Sequence, residues 1–196
     1  MERKERLRKA PCLGGGEGLL RRAKDEQGWL SARAKKIKMF AMDVDGTLTD
    51  GCTYYSERGE ELKRFSMKDG LGISLLKHND IIPVILTGEN SRIVLSRAKK
   101  LNVKEVHVNV KDKLKKVSDI AFNYKVWLNV HVAYVGDDLS DIQVMEKVVL
   151  SFAPADAVKE VKKVAKFVTT RKGGEGAVRE AIDYVLKRYV NASAEI

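Results

Sequence analysis

The apolar residues of this chain gather in short runs separated by longer segments of mixed character. Ile37–Met42, Ile81–Leu86, Val106–Val110, Val132–Val135 and Val148–Phe152 form such runs, with a weaker one at Lys166–Thr169. Runs of this length suit strands buried on both faces of a parallel sheet. Between them, apolar positions recur at helical spacing over about 70–79, 90–101, 112–125, 138–146 and 156–164, and a last helix fits about 175–190. Strands alternating with helices predict right-handed βαβ crossovers and an α/β fold, a doubly wound parallel sheet. One stretch interrupts the rhythm. Cys52–Ser56 and Glu61–Phe65 flank Glu57-Arg58-Gly59-Glu60, which reads as a β-hairpin inserted after the first strand.

Composition narrows the class. At 44% hydrophobic and 33% charged, the 196 residues are neither a disordered chain nor a membrane protein. No apolar run approaches the roughly 20 residues of a spanning helix, so no membrane partner is expected. Cys12 and Cys52 form no CxxC and no zinc spacing, which favours a reducing, cytoplasmic setting.

The net charge of +10 is unevenly placed. Residues 1–38 hold 12 Lys/Arg against 5 Asp/Glu, and the other 158 hold 25 against 22. The basicity therefore belongs to an N-terminal extension, residues 1–35, expected to be flexible or partly helical. It lacks the apolar core of a secretory signal, and Gly14-Gly15-Gly16 breaks it. No aromatic-rich or Cys/His motif accompanies the charge, which argues against nucleic acid as the main partner. The domain proper is expected over 36–190, with a short tail over 191–196.

In open α/β sheets, ligands bind beyond the carboxyl ends of the strands. The polar residues following each run should converge there: Asp43 and Asp45, then Thr87 and Gly88, then Asp137 and Asp138, with Lys113 opening the next helix. A carboxylate at a buried strand end, Asp43, can attack phosphorus and form an aspartyl-phosphate. Asp45, two residues on, can protonate the leaving oxygen and later deprotonate water. Two anions beside a phosphate require a cation, and Mg²⁺ accepts a few carboxylates with retained water. Asp43 and Asp137 are the best carboxylate ligands, with the Asp45 carbonyl a third. Thr87 offers a hydroxyl and Lys113 a fixed positive charge to phosphoryl oxygens. Asp138 and Asp141 are supporting candidates: either can cap the helix near 138, and Asp141 can orient Lys113. His78, His107 and His131 share no ligand spacing.

Asp43-Val44-Asp45-Gly46-Thr47, Leu86-Thr87-Gly88, Lys113 and Gly136-Asp137-Asp138-Leu139-Ser140-Asp141 resemble the four ordered motifs of the haloacid dehalogenase superfamily. Asp50-Gly51, the 59–65 segment, Lys68-Asp69-Gly70 and Gly173-Gly174-Glu175-Gly176-Ala177-Val178-Arg179-Glu180 narrow the resemblance to capless KdsC-type phosphatases, which include 3-deoxy-D-manno-octulosonate (KDO) 8-phosphate phosphatase. The resemblance covers about 34–190. It implies no large cap domain, Asp43 as nucleophile and Asp45 as acid/base. It further implies Mg²⁺ held by Asp43, Asp45 and Asp137, with the phosphoryl group on Thr87 and Lys113. It also implies a sugar acid phosphate substrate and a homotetramer whose hairpins pack between subunits.

Two residues bear on which sugar acid. KDO 8-phosphate enzymes usually carry Arg after the Thr-Gly of the second motif, where this chain has Glu89, with Lys100 eleven residues later. That pair, and Glu175, resemble the branch acting on 2-keto-3-deoxynononate (KDN) 9-phosphate or N-acylneuraminate 9-phosphate. Glu89 as a helix cap is the bland alternative. A different class, the non-catalytic oligomerisation modules of sialic-acid-activating enzymes, shares this fold, and the intact aspartate set argues against it.

Overall fold

In β1 (Met39–Met42) every residue is buried, as its apolar run predicts. Side chains alternate between faces of a strand. Phe40 and Met42 enter one core, Met39 and Ala41 the other. The computed structural model describes residues 37–190, so the expected extension over 1–35 and tail over 191–196 lie outside the described residues.

The chain next forms an antiparallel hairpin of β2 (Thr49–Ser56) and β3 (Gly59–Phe65), joined through Glu57-Arg58. It then adds β4 (Ile82–Leu86), β5 (Glu105–His107), β6 (Val132–Val135), β7 (Leu150–Ala153) and β8 (Phe167–Val168). The main sheet runs β5-β4-β1-β6-β7-β8, with every pairing parallel. Register is even across its centre: Met42 lies opposite Ile85 on one side and Val135 on the other.

Helices cover both faces. α1 (Met67–His78), α2 (Arg92–Lys100) and α7 (Ala177–Val185) pack Ile73, Leu76, Val94, Ala98, Val178 and Ile182 against Phe40, Ile85 and Phe152. α3 (Lys113–Asn123), α5 (Ile142–Lys147) and α6 (Lys159–Val164) bring Val117, Ile120, Val144, Met145 and Val161 against Met39, Val84 and Tyr134. Burying one such large apolar side chain contributes about 1.5–3 kcal/mol, so the two cores hold the sheet between them.

The differences from expectation have local causes. α1 starts at Met67 because the Ser66 hydroxyl accepts the N–H groups of Lys68 and Asp69. Pairing in the 106–110 run stops at His107, and Asn109 turns the chain at φ 55°. The 138–146 helix opens as a 3₁₀ turn, Leu139–Asp141, because Asp138 and Asp141 form a capping box. The 175–190 helix ends as a π turn over Leu186–Val190. α4 (Leu128–His131) is too short for periodicity to reveal.

From β1 the chain builds β4 and β5 on one side, then crosses to place β6 on the other. The carboxyl ends of β1 and β6 therefore flank the topological switch point, where open α/β sheets bind ligands.

Candidate active site

Asp43 directly follows β1, and its N–H donates to the Val135 carbonyl at 3.0 Å, joining β1 to β6 at the switch point. Its side chain is almost wholly buried. Asp43 Oδ1 accepts from Lys113 Nζ at 2.6 Å. Lys113 opens α3, whose N-cap is Asp112, so the helix start fixes where the ammonium enters. The same Nζ donates to Asp141 Oδ1 at 2.7 Å. That oxygen also accepts from Tyr134 OH at 2.6 Å. Asp141 Oδ2 takes the N–H groups of Asp137 and Asp138 at 3.1 and 3.2 Å. Four donors thus saturate Asp141, which orients Lys113 and shapes the turn after β6. Asp138 is exposed and caps that turn through the Leu139 N–H at 2.7 Å.

Asp43, Asp137 and Asp141 each bring a carboxylate oxygen within 4.8 Å of the others. With Asp141 saturated, Asp43 and Asp137 are the pair fitted to a hard cation. Thr47 Oγ1 steadies Asp137 by donating to Oδ1 at 3.1 Å. Burial, then the Asp141 charge, hold the Asp43 carboxyl well above 3.8 although Lys113 pulls it down. Burial and Asp141 likewise raise Asp137 to about 6. Burial works against the Lys113 ammonium, but Asp43 and Asp141 outweigh it and raise its pKa. Three carboxylates against one ammonium leave excess negative charge, which a divalent cation between Asp43 and Asp137 would neutralise. The donor set fits Mg²⁺. Gly46 allows the loop to pass: at φ 83°, an added Cβ would sit 2.1 Å from Asp137 Oδ2.

The Asp45 side chain is not one of the three carboxylates that gather here, so a metal contact from Asp45 would have to come from its main-chain carbonyl. Its Oδ2 accepts from Thr87 Oγ1 at 3.0 Å. Its Oδ1 accepts from Lys63 Nζ, on the inner face of β3. Lys63 was not among the candidates read from sequence. The one available signal is hairpin alternation, which turns Lys63 to the same face as Phe65. Thr87 ends the β4 run, and its hydroxyl accepts the Glu89 N–H at 3.0 Å.

The structure does not bring Glu89 and Lys100 together. They lie before and at the end of α2, with no ion pair between them among the described residues. Ser91, not Glu89, caps α2. Gly88 is exposed, and a Cβ there would meet only the Val110 carbonyl at 3.7 Å.

Gly173 and Gly174 brace the loop after β1. A Cβ on Gly173 would lie 1.9 Å from the Gly46 carbonyl oxygen, and the Gly174 N–H donates to the Thr47 carbonyl at 3.1 Å. Glu175 pairs with Arg64 of the hairpin at 3.2 Å, and Arg64 also holds Asp50 at 2.8 Å. The Arg179 N–H donates to Asp69 Oδ1 at 2.7 Å while its guanidinium holds Asp183. His78 and His107 bond to the Ser74 carbonyl and to Glu105, and to none of Asp43, Asp137 and Asp141.

The family model for haloacid dehalogenase-like hydrolases matches residues 103–182. The KDO 8-phosphate phosphatase KdsC of Escherichia coli K12 is 42% identical over 155 residues, 79% of this chain and 82% of that protein. The chain belongs to the KDO 8-phosphate phosphatase family. Solved members of the family share its fold. The Moraxella catarrhalis phosphatase, crystallised with magnesium, phosphate and KDO, superposes with a TM-score of 0.79 at 37% identity, over 85% of this chain and 95% of that one. The cobalt-bound Haemophilus influenzae enzyme gives 0.78 at 35% identity, over 83% and 95%.

Proposed function

We propose that this family member is a Mg²⁺-dependent phosphomonoesterase that hydrolyses KDO 8-phosphate through an aspartyl-phosphate on Asp43. One observation carries the reading: Asp43, Lys113 and Asp137 meet at the switch point, with Asp141 locking their arrangement. Asp43 and Asp137 would hold the metal, which supplies charge neutralisation between carboxylate and phosphate. Asp43 attacks phosphorus as the sugar oxygen leaves with a proton from Asp45. Water then attacks the aspartyl-phosphate, returning a proton to Asp45 and freeing Asp43. Lys113 and Thr87 stabilise the equatorial oxygens.

A nine-carbon substrate, KDN 9-phosphate or N-acylneuraminate 9-phosphate, is the second reading. It is favoured by Glu89, exposed directly beyond Thr87. The intact cluster disfavours a non-catalytic module. The hairpin exposes Tyr54, Tyr55 and Leu62 at 60%, 69% and 63%. That apolar surface supports the expected homotetramer, in which a neighbour closes a capless site. No helix among the described residues is long and apolar enough to cross a membrane; a cytoplasmic enzyme accords with the sequence reading.

The test is a phosphatase screen across KDO 8-phosphate, KDN 9-phosphate and neutral sugar phosphates, with Mg²⁺ and with excess chelator. Turnover of a sugar acid phosphate that chelator abolishes and Mg²⁺ restores is the expected outcome. Metal-independent turnover, or none on any sugar acid phosphate, overturns the reading.

A further inference from the structure

The hairpin sends one buried cation into the catalytic cleft. The Lys63 side chain is 2% exposed, although it belongs to a projecting two-stranded ribbon whose outer side chains are solvated. An ammonium has three protons to give. All three are committed, to Asp45 Oδ1, to Thr53 Oγ1 at 2.9 Å and to Glu60 Oε1 at 3.1 Å. Thr53 is the cross-strand partner of Lys63, so hairpin register itself sets one of these bonds. The second oxygen of Glu60 accepts from Ser91 Oγ, and Ser91 caps α2. Lys63 is therefore clamped from the hairpin on one side and from α2 on the other. With no donor to spare, it is built to hold Asp45, not to bind substrate.

The two oxygens of Asp45 are held differently. Oδ1 belongs to Lys63, a buried and fully determined partner. Oδ2 accepts from the Thr87 hydroxyl. Under the proposed function, phosphate recruits that same hydroxyl, which can donate to only one acceptor at a time. Substrate binding then withdraws Thr87 from Oδ2 and leaves Oδ1 with Lys63.

We infer that Lys63 is the positioning residue of the acid/base: it anchors Asp45 through Oδ1 so that Oδ2, released by Thr87, is the oxygen that exchanges the proton. This rests on the proposed function in taking Asp45 as the proton donor and Thr87 as a phosphate contact. In the first step the Asp43 oxygen–phosphorus bond forms and the bond from phosphorus to the sugar oxygen breaks. The proton on Asp45 Oδ2 passes to that oxygen. In the second step water oxygen bonds to phosphorus, the Asp43 bond breaks, and the water proton returns to Oδ2. Lys63 gains and loses nothing in either step.

A misplaced acid costs most where the leaving oxygen most needs a proton. The experiment measures kcat/KM for Lys63→Met and the parent on alkyl phosphates and on aryl phosphates of graded leaving-group acidity, at saturating Mg²⁺. This quantity reports on steps up to departure of the leaving group. General acid catalysis is worth about 10²–10⁴-fold. The variant is expected to lose about 100-fold on alkyl phosphates and less than about 3-fold on p-nitrophenyl phosphate, so its dependence on leaving-group basicity steepens. An equal loss on all substrates marks a merely structural role and overturns the inference, as does no loss on any. Thr53→Val, which removes one partner of Lys63 and keeps the charge, should steepen the dependence in the same direction by a smaller amount. It decides the matter if Lys63→Met does not fold, and an unchanged slope in that variant then overturns the inference. Because the slope comes from simple phosphates, it stands apart from whether the parent accepts KDO 8-phosphate, which tests the proposed function itself.

Discussion

Asp43 is held by one ammonium within a crowd of carboxylates, and its burial keeps it in contact with Lys113 instead of water. An amide in its place keeps the shape but cannot form the acyl-phosphate. Asp43→Asn should therefore lower kcat by at least about 10⁴-fold while the thermal unfolding midpoint holds or rises, because one buried negative charge is gone. Parallel steady-state kinetics and melts check both halves, and turnover within tenfold of the parent would sink the nucleophile assignment. Glu89 poses the specificity question at this scale. Its carboxylate is not consumed by a helix cap, since Ser91 does that work, nor by Lys100 within the chain. Glu89→Arg should shift the ratio of kcat/KM between KDO 8-phosphate and KDN 9-phosphate by about tenfold, roughly 1.4 kcal/mol. An unchanged ratio in an active variant would remove Glu89 from substrate recognition.

At the scale of elements, the candidate site is an assembly of segments distant in sequence. The loop after β1 supplies Asp43 and Asp45, the turn after β6 supplies Asp137, and the 173–176 segment closes behind them. Gly173 is the tightest contact, packed against main-chain oxygens of Gly46 and Thr49 that cannot swing aside as a side chain would. Gly173→Ala should displace the loop carrying Thr47 and hence its bond to Asp137. The expected result is a destabilisation of about 1–3 kcal/mol in denaturant melts, with a raised Mg²⁺ requirement for activity. An unchanged metal titration would show that the brace is dispensable. These elements also show what the sequence discloses and what it conceals. The Asp-Val-Asp-Gly-Thr and Gly-Asp-Asp segments are legible because strand burial and local motif place their side chains together. Lys63 and the Gly173 brace are not, because their partners lie far along the chain and are fixed by how the hairpin and the 173–176 loop fold back. Glu89 and Lys100 fail to meet for a related reason: Glu89 precedes α2 and Lys100, eleven positions on, stands at its far end.

Across the whole molecule, one buried carboxyl outside the Asp43, Asp137 and Asp141 cluster is expected to make stability depend on pH. Asp69 is 1% exposed, and burial raises it from 3.8 to about 6, against the pull of the Arg179 N–H. Its Oδ2 has no hydrogen-bond partner. Because the folded pKa lies above the unfolded one, the folded chain holds the proton longer. The contribution is complete below about pH 4 and is lost as pH rises through about 6, amounting to roughly 3 kcal/mol. Asp69→Asn keeps an acceptor for Arg179 and removes the charge. The variant's stability relative to the parent should rise between about pH 4 and pH 7, measured by urea melts at both ends. A difference that stays flat would show that Asp69 ionises as freely folded as unfolded.

The 173–174 brace also bears on how this enzyme comes into being. A ribosome releases the chain from its N-terminus, so Asp43 is synthesised long before Asp137 and before the glycines that seat its loop. β1 must wait for β6 to complete the centre of the sheet, and the loop must wait longer, until Gly174 can reach the Thr47 carbonyl. The carboxylates of this site can therefore meet only once Asp137 has been made, and their loop is braced only once Gly174 follows, which ties completion of the site to completion of the fold.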